Sequence, residues 1–164
     1  MMTEPCEDGY CARARAVEAV EEVLAPLADA DQAFAMSAAA GRRCEFLGIP
    51  VKTRQRATRG ILDRRPLDPD FVRGLWSLPE REFKYVACDH LLRQRRFPAA
   101  LLPLLEELIT TEPWWDTVEQ LARVAARCLR YDSAAAETIN DWATAGDIWL
   151  RRAASLCGSG QGLH

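Results

Sequence analysis

Long apolar runs are missing from this 164-residue chain. No stretch approaches the ~18 residues of a membrane span, so no membrane partner is expected. Histidine is nearly absent, with only His90 and the terminal His164, and no C-x-x-C pair occurs. The ligand spacings of structural zinc sites are therefore missing, and neither a metal nor a cofactor is expected. The N-terminus, Met-Met-Thr-Glu-Pro-Cys-Glu-Asp, lacks the basic n-region and apolar h-region of a secretory signal, which points to the cytoplasm. In such a compartment the six scattered cysteines (Cys6, Cys11, Cys44, Cys88, Cys128 and Cys157) read as free, mostly buried thiols rather than as three bridges. Aromatics are sparse at 8%, but 49% apolar and 27% charged residues describe a globular chain and exclude disorder or low complexity. Strict apolar–polar alternation is missing too, so no half-buried strand is expected.

What is present is helical periodicity almost throughout, and the fold class expected is all-α. Helices are predicted over 12–27, 31–40, from Pro50 to about 64, and then as pairs over 70–78, 79–95, 99–110, 113–131, 134–145 and 147–157. Ser77 with Glu80 has the spacing of a capping box, Thr111 precedes Glu112-Pro113, and Asp147 suits the start of the last helix. Trp76 and Trp142, each near the end of a first helix, stand 66 residues apart, two periods of about 33. Small residues recur in the second helices at Ala87, Ala125 and Ala153. The pattern fits an α-solenoid of HEAT-like helix pairs, with an irregular bundle as the alternative. One domain over 1–164 is expected: an acidic helical segment 1–34, a repeat array 35–157 and a flexible tail 158–164. The last pair is uncapped, which leaves a surface for association.

Charge is unevenly spread. Residues 1–34 carry eight acids against two arginines, net −6, whereas 16 acids and 19 bases follow, net +3. Between Arg42 and Arg65 eight bases (Arg42, Arg43, Lys52, Arg54, Arg56, Arg59, Arg64 and Arg65) face only Glu45 and Asp63. Such a patch attracts phosphate backbones, or is a solvated helix face. The acidic front could fold back upon it as an inhibitor.

On a wheel of the helix from Pro113, the residues Trp114, Val118, Leu121, Ala125 and Cys128 share one face and form its core side. Trp115 and Glu119 lie together on the adjoining flank, continued by Ala122 and Ala126, with Arg123, Arg127 and Arg130 further round. That flank sets a flat aromatic and a carboxylate above small side chains and beside a basic wall. Ordinary burial of Trp115, and an i,i+4 ion pair between Glu119 and Arg123, are the structural alternatives.

Four segments carry a resemblance: Phe46-Leu-Gly-Ile, Leu75-Trp-Ser-Leu-Pro-Glu-Arg-Glu-Phe, Leu105-Glu-Glu-Leu-Ile-Thr-Thr-Glu-Pro-Trp-Trp-Asp-Thr-Val-Glu, and Ile148-Trp-Leu-Arg-Arg-Ala-Ala. In order and approximate spacing they resemble the AlkD-like DNA alkylation repair family of HEAT-repeat DNA glycosylases. The resemblance implies an enzyme that hydrolyses the N-glycosidic bond of cationic N3- or N7-alkylated purines, with double-stranded DNA containing alkylated bases as its partner. It also implies that the damaged base stays in the stack. By the same resemblance, Trp115 is the active-site tryptophan and Glu119 stands where the family has its catalytic aspartate. Arg152 falls on the arginine of the last motif, and Arg54 is similar to the arginine that follows the first. From charge and position, Arg43, Lys52, Arg54, Arg56, Arg123 and Arg127 are the expected DNA contacts. The family's aromatic residue near 36–40 is replaced by Ser-Ala-Ala-Ala, and further helix pairs do not follow. The alternative function is a catalytically impaired DNA-binding or protein-interaction module on the same fold.

Overall fold

The computed structural model describes residues 8–63 and 65–159. Within them the chain forms nine α-helices: α1 (Asp8–Leu24), α2 (Ala30–Ala39), α3 (Val51–Leu62), α4 (Pro69–Trp76), α5 (Arg81–Leu92), α6 (Leu102–Thr110), α7 (Trp115–Tyr131), α8 (Ala135–Thr144) and α9 (Ile148–Ser159). Short 3-10 turns at Ala25–Leu27 and Ala99–Leu101 extend α1 and lead into α6. No strand occurs among the described residues; one isolated bridge joins Glu45 and Glu80. The all-α expectation therefore stands. No described helix is long and apolar enough to cross a membrane. Cys6, Arg64 and the end of the expected tail, 160–164, lie outside the described residues, while α9 itself runs on to Ser159.

The chain falls into two compact units, residues 1–93 and 94–164. In the first, α1 packs against α3 and α4, and α5 packs against α3 and α4. Ala16, Val20 and Leu24, four apart, are the stripe that α1 buries, as the helical period requires. The helix α1 is therefore a core element packed on α3 and α4. The helix α5 is buried along almost its whole length and carries Arg81, Glu82, Lys84, Asp89 and His90 into the interior. Such charges are tolerated only where they are partnered. The Lys84 ammonium accordingly donates to the Leu78 carbonyl at 2.8 Å. Arg54 donates to Asp89 at 3.4 Å.

Glu82 explains two of the sequence motifs together. Its carboxylate accepts from the backbone N–H groups of Leu47 (2.9 Å), Gly48 (3.0 Å) and Ile49 (3.2 Å), so the motif Leu75–Phe83 holds the loop of the motif Phe46–Ile49. Gly48 has φ of +85°, and a Cβ there would stand 2.1 Å from the Asp29 carbonyl oxygen and 2.6 Å from the Ala33 nitrogen. Only glycine admits both that conformation and that approach to the first turn of α2.

In the second unit α6 packs on α7 and α8 on α9, and α7 and α9 lie closely against each other. The buried face of α7 comprises Val118, Leu121, Ala125 and Cys128, as the wheel predicts, together with Thr117, Ala122 and Val124, and Trp114 is half-buried at its N-cap. Burial of each large member stabilises the unit by roughly 1.5–3 kcal/mol. Trp142 is buried on α8 and donates from Nε1 to Glu106 of α6 at 2.9 Å.

The helix starts follow the sequence in part. Asp147 caps α9, accepting from Trp149 N (2.7 Å) and Leu150 N (3.0 Å). Ser77 is not an N-cap. It closes α4 with its hydroxyl on the Gly74 carbonyl at 2.8 Å, and α5 begins after Glu80 without a side-chain cap. Thr111 likewise closes α6, its hydroxyl on Glu107 O at 2.7 Å, and the N-cap of α7 is Trp114. In both cases the hydroxyl is used by a carbonyl of the preceding turn, a local bond that competes with capping the helix ahead.

Candidate active site

The side chains of Trp115, Glu119 and Arg152 are carried by α7 and α9. Trp115 is the first residue of α7, where the backbone leaves the extended Trp114, and its side chain is 52% exposed. Ordinary burial is thus excluded for Trp115. Glu119, one turn on, shares its flank. Its Oε1 accepts from the Arg152 guanidinium of α9 at 2.9 Å, and the side chains are 35% and 46% exposed respectively. The alternative drawn from helical spacing, a Glu119–Arg123 pair, is not formed. The neighbouring arginine, Arg151, turns away and donates to the carbonyls of Ala145 (2.6 Å) and Gly146 (2.9 Å), so the two arginines of the last motif divide between a loop and the carboxylate.

Beside this pair lies an open groove of about 460 Å³ lined by Glu119, Ala122, Arg123, Ala126, Arg127, Arg130 and Leu156. The alanines keep its floor low, and three arginines against one glutamate make its lining basic. Arg127 also stacks its guanidinium over Phe97, 5.3 Å from the ring centroid. Arg130, which the sequence placed on this wall without a role, completes the row.

The remaining residues expected to meet DNA lie in the first unit. Arg43, Lys52 and Arg56 are exposed, the last two on one face of α3. Arg54 is not: only 4% of it is accessible. Its guanidinium pairs with Asp89 and lies 5.0 Å from the Tyr85 centroid, so it serves the interior. Helical phase accounts for the difference, since Lys52 and Arg56 stand two positions either side of Arg54 and so point nearly opposite the buried row of Arg54, Thr58 and Leu62. Among the described residues no group of His, Cys, Asp and Glu is arranged to hold a metal ion.

The most perturbed titratable groups are not among the residues lining the groove. Burial, reinforced by Arg65 and Arg93 and opposed by Asp68, lowers the His90 imidazole to about 4. Burial raises the thiols of Cys128 to about 12 and of Cys157 to about 11. Those thiols are inert by this measure, and Cys157 donates to the Ala122 carbonyl at 3.4 Å.

Glu82 and Asp132 are the structural carboxylates that sequence reasoning missed. Asp132 accepts from the backbone of Ala99 (2.9 Å) and Ala134 (3.0 Å), tying the end of α7 to the turn before α6 and to the start of α8. These bonds to its charged form lower its pKa. Its place directly after a helix and two residues before the next was the available signal.

Similarity to known proteins follows the same elements. A family model described as DNA alkylation repair enzyme matches residues 20–159. The solved structure of a predicted DNA alkylation repair enzyme from Enterococcus faecalis is similar, with a TM-score of 0.63 and 23% identity over 77% of this chain. The match spans 63% of that protein's chain. Among curated proteins none matches. With the match covering most of its length, the chain belongs to the family of DNA alkylation repair enzymes.

Proposed function

We propose that the protein is a DNA N-glycosylase that hydrolyses the N-glycosidic bond of cationic N3- or N7-alkylated purines in duplex DNA. The observation that carries this reading is the Glu119 carboxylate, partly exposed beside an exposed indole and held by Arg152 at the head of a basic groove. An alkylated purine already bears the positive charge it loses on departure, so no general acid is required. The bonding pair leaves with the base, which departs neutral, and the sugar develops oxocarbenium character. A carboxylate near C1′ stabilises that charge and orients the water that adds there, whose proton passes to the carboxylate or to solvent. At about 4 Å and an effective dielectric near 20 the interaction reaches roughly 4 kcal/mol, about a thousandfold in rate. Trp115 offers a flat π face to the sugar and its developing charge.

Arg152 has two uses. In the resting chain it neutralises Glu119; against DNA, its planar fork suits a phosphate flanking the lesion. An ion pair this exposed is worth about 1 kcal/mol or less, so exchanging the carboxylate for a phosphate costs little and leaves Glu119 facing the sugar. Arg43, Lys52, Arg56, Arg123 and Arg127 supply further phosphate contacts. The four described free cysteines, Cys44, Cys88, Cys128 and Cys157, support a cytoplasmic location.

A non-catalytic DNA-binding module is the second reading, favoured by one feature: a glutamate, one methylene longer than the family's aspartate, is what reaches Arg152. Displacement of a catalytic group by ~1 Å can cost ~100-fold. Base-release chromatography on methylated duplex DNA separates the two. The glycosylase releases 7-methylguanine or 3-methyladenine, and Glu119→Gln drops release to background. A chain that retards DNA and liberates no base is the module.

A further inference from the structure

Among the described residues, two that are not glycine carry a positive φ, Arg42 at 59° and Glu112 at 49°. Arg42 closes α2, its N–H donating to the Ser37 carbonyl at 2.7 Å as a left-handed helix end does. Glu112 stands beyond a helix end that is already closed. Thr111 before it is extended, with φ of −103° and ψ of 112°, and Pro113 after it presses the preceding residue toward extended backbone. A residue with a side chain keeps such a conformation only where its surroundings impose it, and residues of this kind gather at working sites.

Glu112 separates two fixed ends. At the end of α6 the hydroxyls of Thr110 and Thr111 donate to the carbonyls of Glu106 (2.9 Å) and Glu107 (2.7 Å). At the start of α7 the Trp114 carbonyl accepts from the Thr117 hydroxyl (3.1 Å) and the Val118 N–H (3.0 Å), and both of those residues are fully buried. Between the ends, Pro113 has its φ locked by its ring, and Trp114 is extended, with φ of −146° and ψ of 152°. The reversal from α6 into α7 therefore falls to the backbone of Glu112. Relaxation there to a negative φ is a rotation of roughly 100°. With both helices anchored by their buried faces, the displacement would fall on residues 113–116, of which Trp115 is the exposed one. Glu119, a turn further on behind Val118, would keep its place. An indole that must meet a sugar in the transition state gains rate only if its orientation is set beforehand.

We infer that Glu112 is a positioning residue for Trp115: its left-handed backbone, not its carboxylate, sets the exposed indole at the head of α7 beside Glu119. The inference rests on Trp115 serving the reaction proposed above, and adds to that reading the residue that aims it.

The test compares Glu112→Gly with Glu112→Val in the full chain. Both remove the carboxylate and its charge, and they differ in whether the backbone can hold a positive φ, which glycine adopts freely and a β-branched residue resists. With 5-fluorotryptophan incorporated, the Trp115 fluorine signal is the one of five that disappears in Trp115→Phe. Glu112→Gly should keep that signal at its wild-type position and keep base release from methylated duplex DNA close to wild type. Glu112→Val should shift or broaden the signal and lower the release rate at saturating DNA by roughly ten- to a hundredfold, with half-saturation unchanged. A signal displaced in Glu112→Gly as far as in Glu112→Val means that the carboxylate holds the indole, and overturns the inference. So does a Glu112→Val whose signal and release equal those of wild type. Should Glu112→Val be unfolded by circular dichroism, Glu112→Thr replaces it, and the glycine arm is unaffected. A wild-type chain that releases no base ends the glycosylase reading, while the fluorine signals still decide whether Glu112 sets Trp115.

Discussion

Single residues of unlike type set the hard constraints in this chain. Gly48 and Glu82 are one device: three N–H groups of a tight loop converge on a buried carboxylate, and the loop fits against α2 only because position 48 has no Cβ. Gly48→Ala should destabilise the protein by more than about 2 kcal/mol, combining a positive φ with a backbone clash. Gly60→Ala is the internal control. It lies within α3 with open space where a Cβ would go, and should stabilise by about 0.5–1 kcal/mol. Urea unfolding curves of the two variants check both signs; equal effects would refute the steric account. His90 makes a prediction for pH. The unfolded imidazole takes a proton near its ordinary 6.5, whereas the folded one resists until about 4. Acid therefore favours the unfolded chain. His90 should leave stability level above about pH 7 and lower it progressively as pH falls from 6.5 toward 4. Melting temperatures at pH 7.5 and 5 should differ more for wild type than for His90→Leu, and equal differences would exclude His90 as the cause.

The ends and faces of whole helices tell how far local pattern reaches. Asp147 caps α9 as its position before an apolar run implies, and Asp147→Ala should cost about 1 kcal/mol by thermal melting. Ser77 and Thr111 present similar signals yet close the helices behind them, because a hydroxyl near two helices can serve either one. The acidic helix α1 is a core element of the first unit, not a removable arm, since Ala16, Val20 and Leu24 are its buried stripe. Leu24→Ala should cost about 2–4 kcal/mol in denaturant unfolding. Loss of no more than a few tenths would mean that α1 packs loosely. Removing this helix to probe inhibition would therefore mainly measure unfolding. The helix α5 is where pattern reading has least purchase. Its charged residues imply a wet face, yet it is packed against neighbouring helices, with Glu82, Lys84 and Asp89 each held by a partner.

At the scale of the molecule the chain is acidic overall, but the proposed function depends on local sign. Eight acids precede residue 35, while the groove of the second unit is lined by three arginines. Net charge alone would have excluded a nucleic-acid partner; the distribution does not. The buried thiols make a further global prediction. Cys128 and Cys157, with pKa raised to about 12 and 11, should not react with Ellman's reagent at pH 8 until denaturant unfolds the second unit, whereas the half-buried Cys44 reacts in the folded protein. Rapid labelling of all thiols in native buffer would contradict the packing of α7 on α9.

The sequence by itself determined the helices, their order, the core face of α7, the shared flank of Trp115 and Glu119, and the family. These follow from spacings of three and four residues and from short motifs, which the chain carries locally. Tertiary structure alone decided who partners whom. Glu119 has Arg123 available four residues away and pairs instead with Arg152, 33 residues on. Arg54 turns inward to Asp89 while Lys52 and Arg56 stay in water, and Glu82 is spent on a loop more than 30 residues earlier. A local charge pattern names the candidates for an ion pair. The choice among them depends on which surfaces packing removes from water, and that is settled only when distant helices meet.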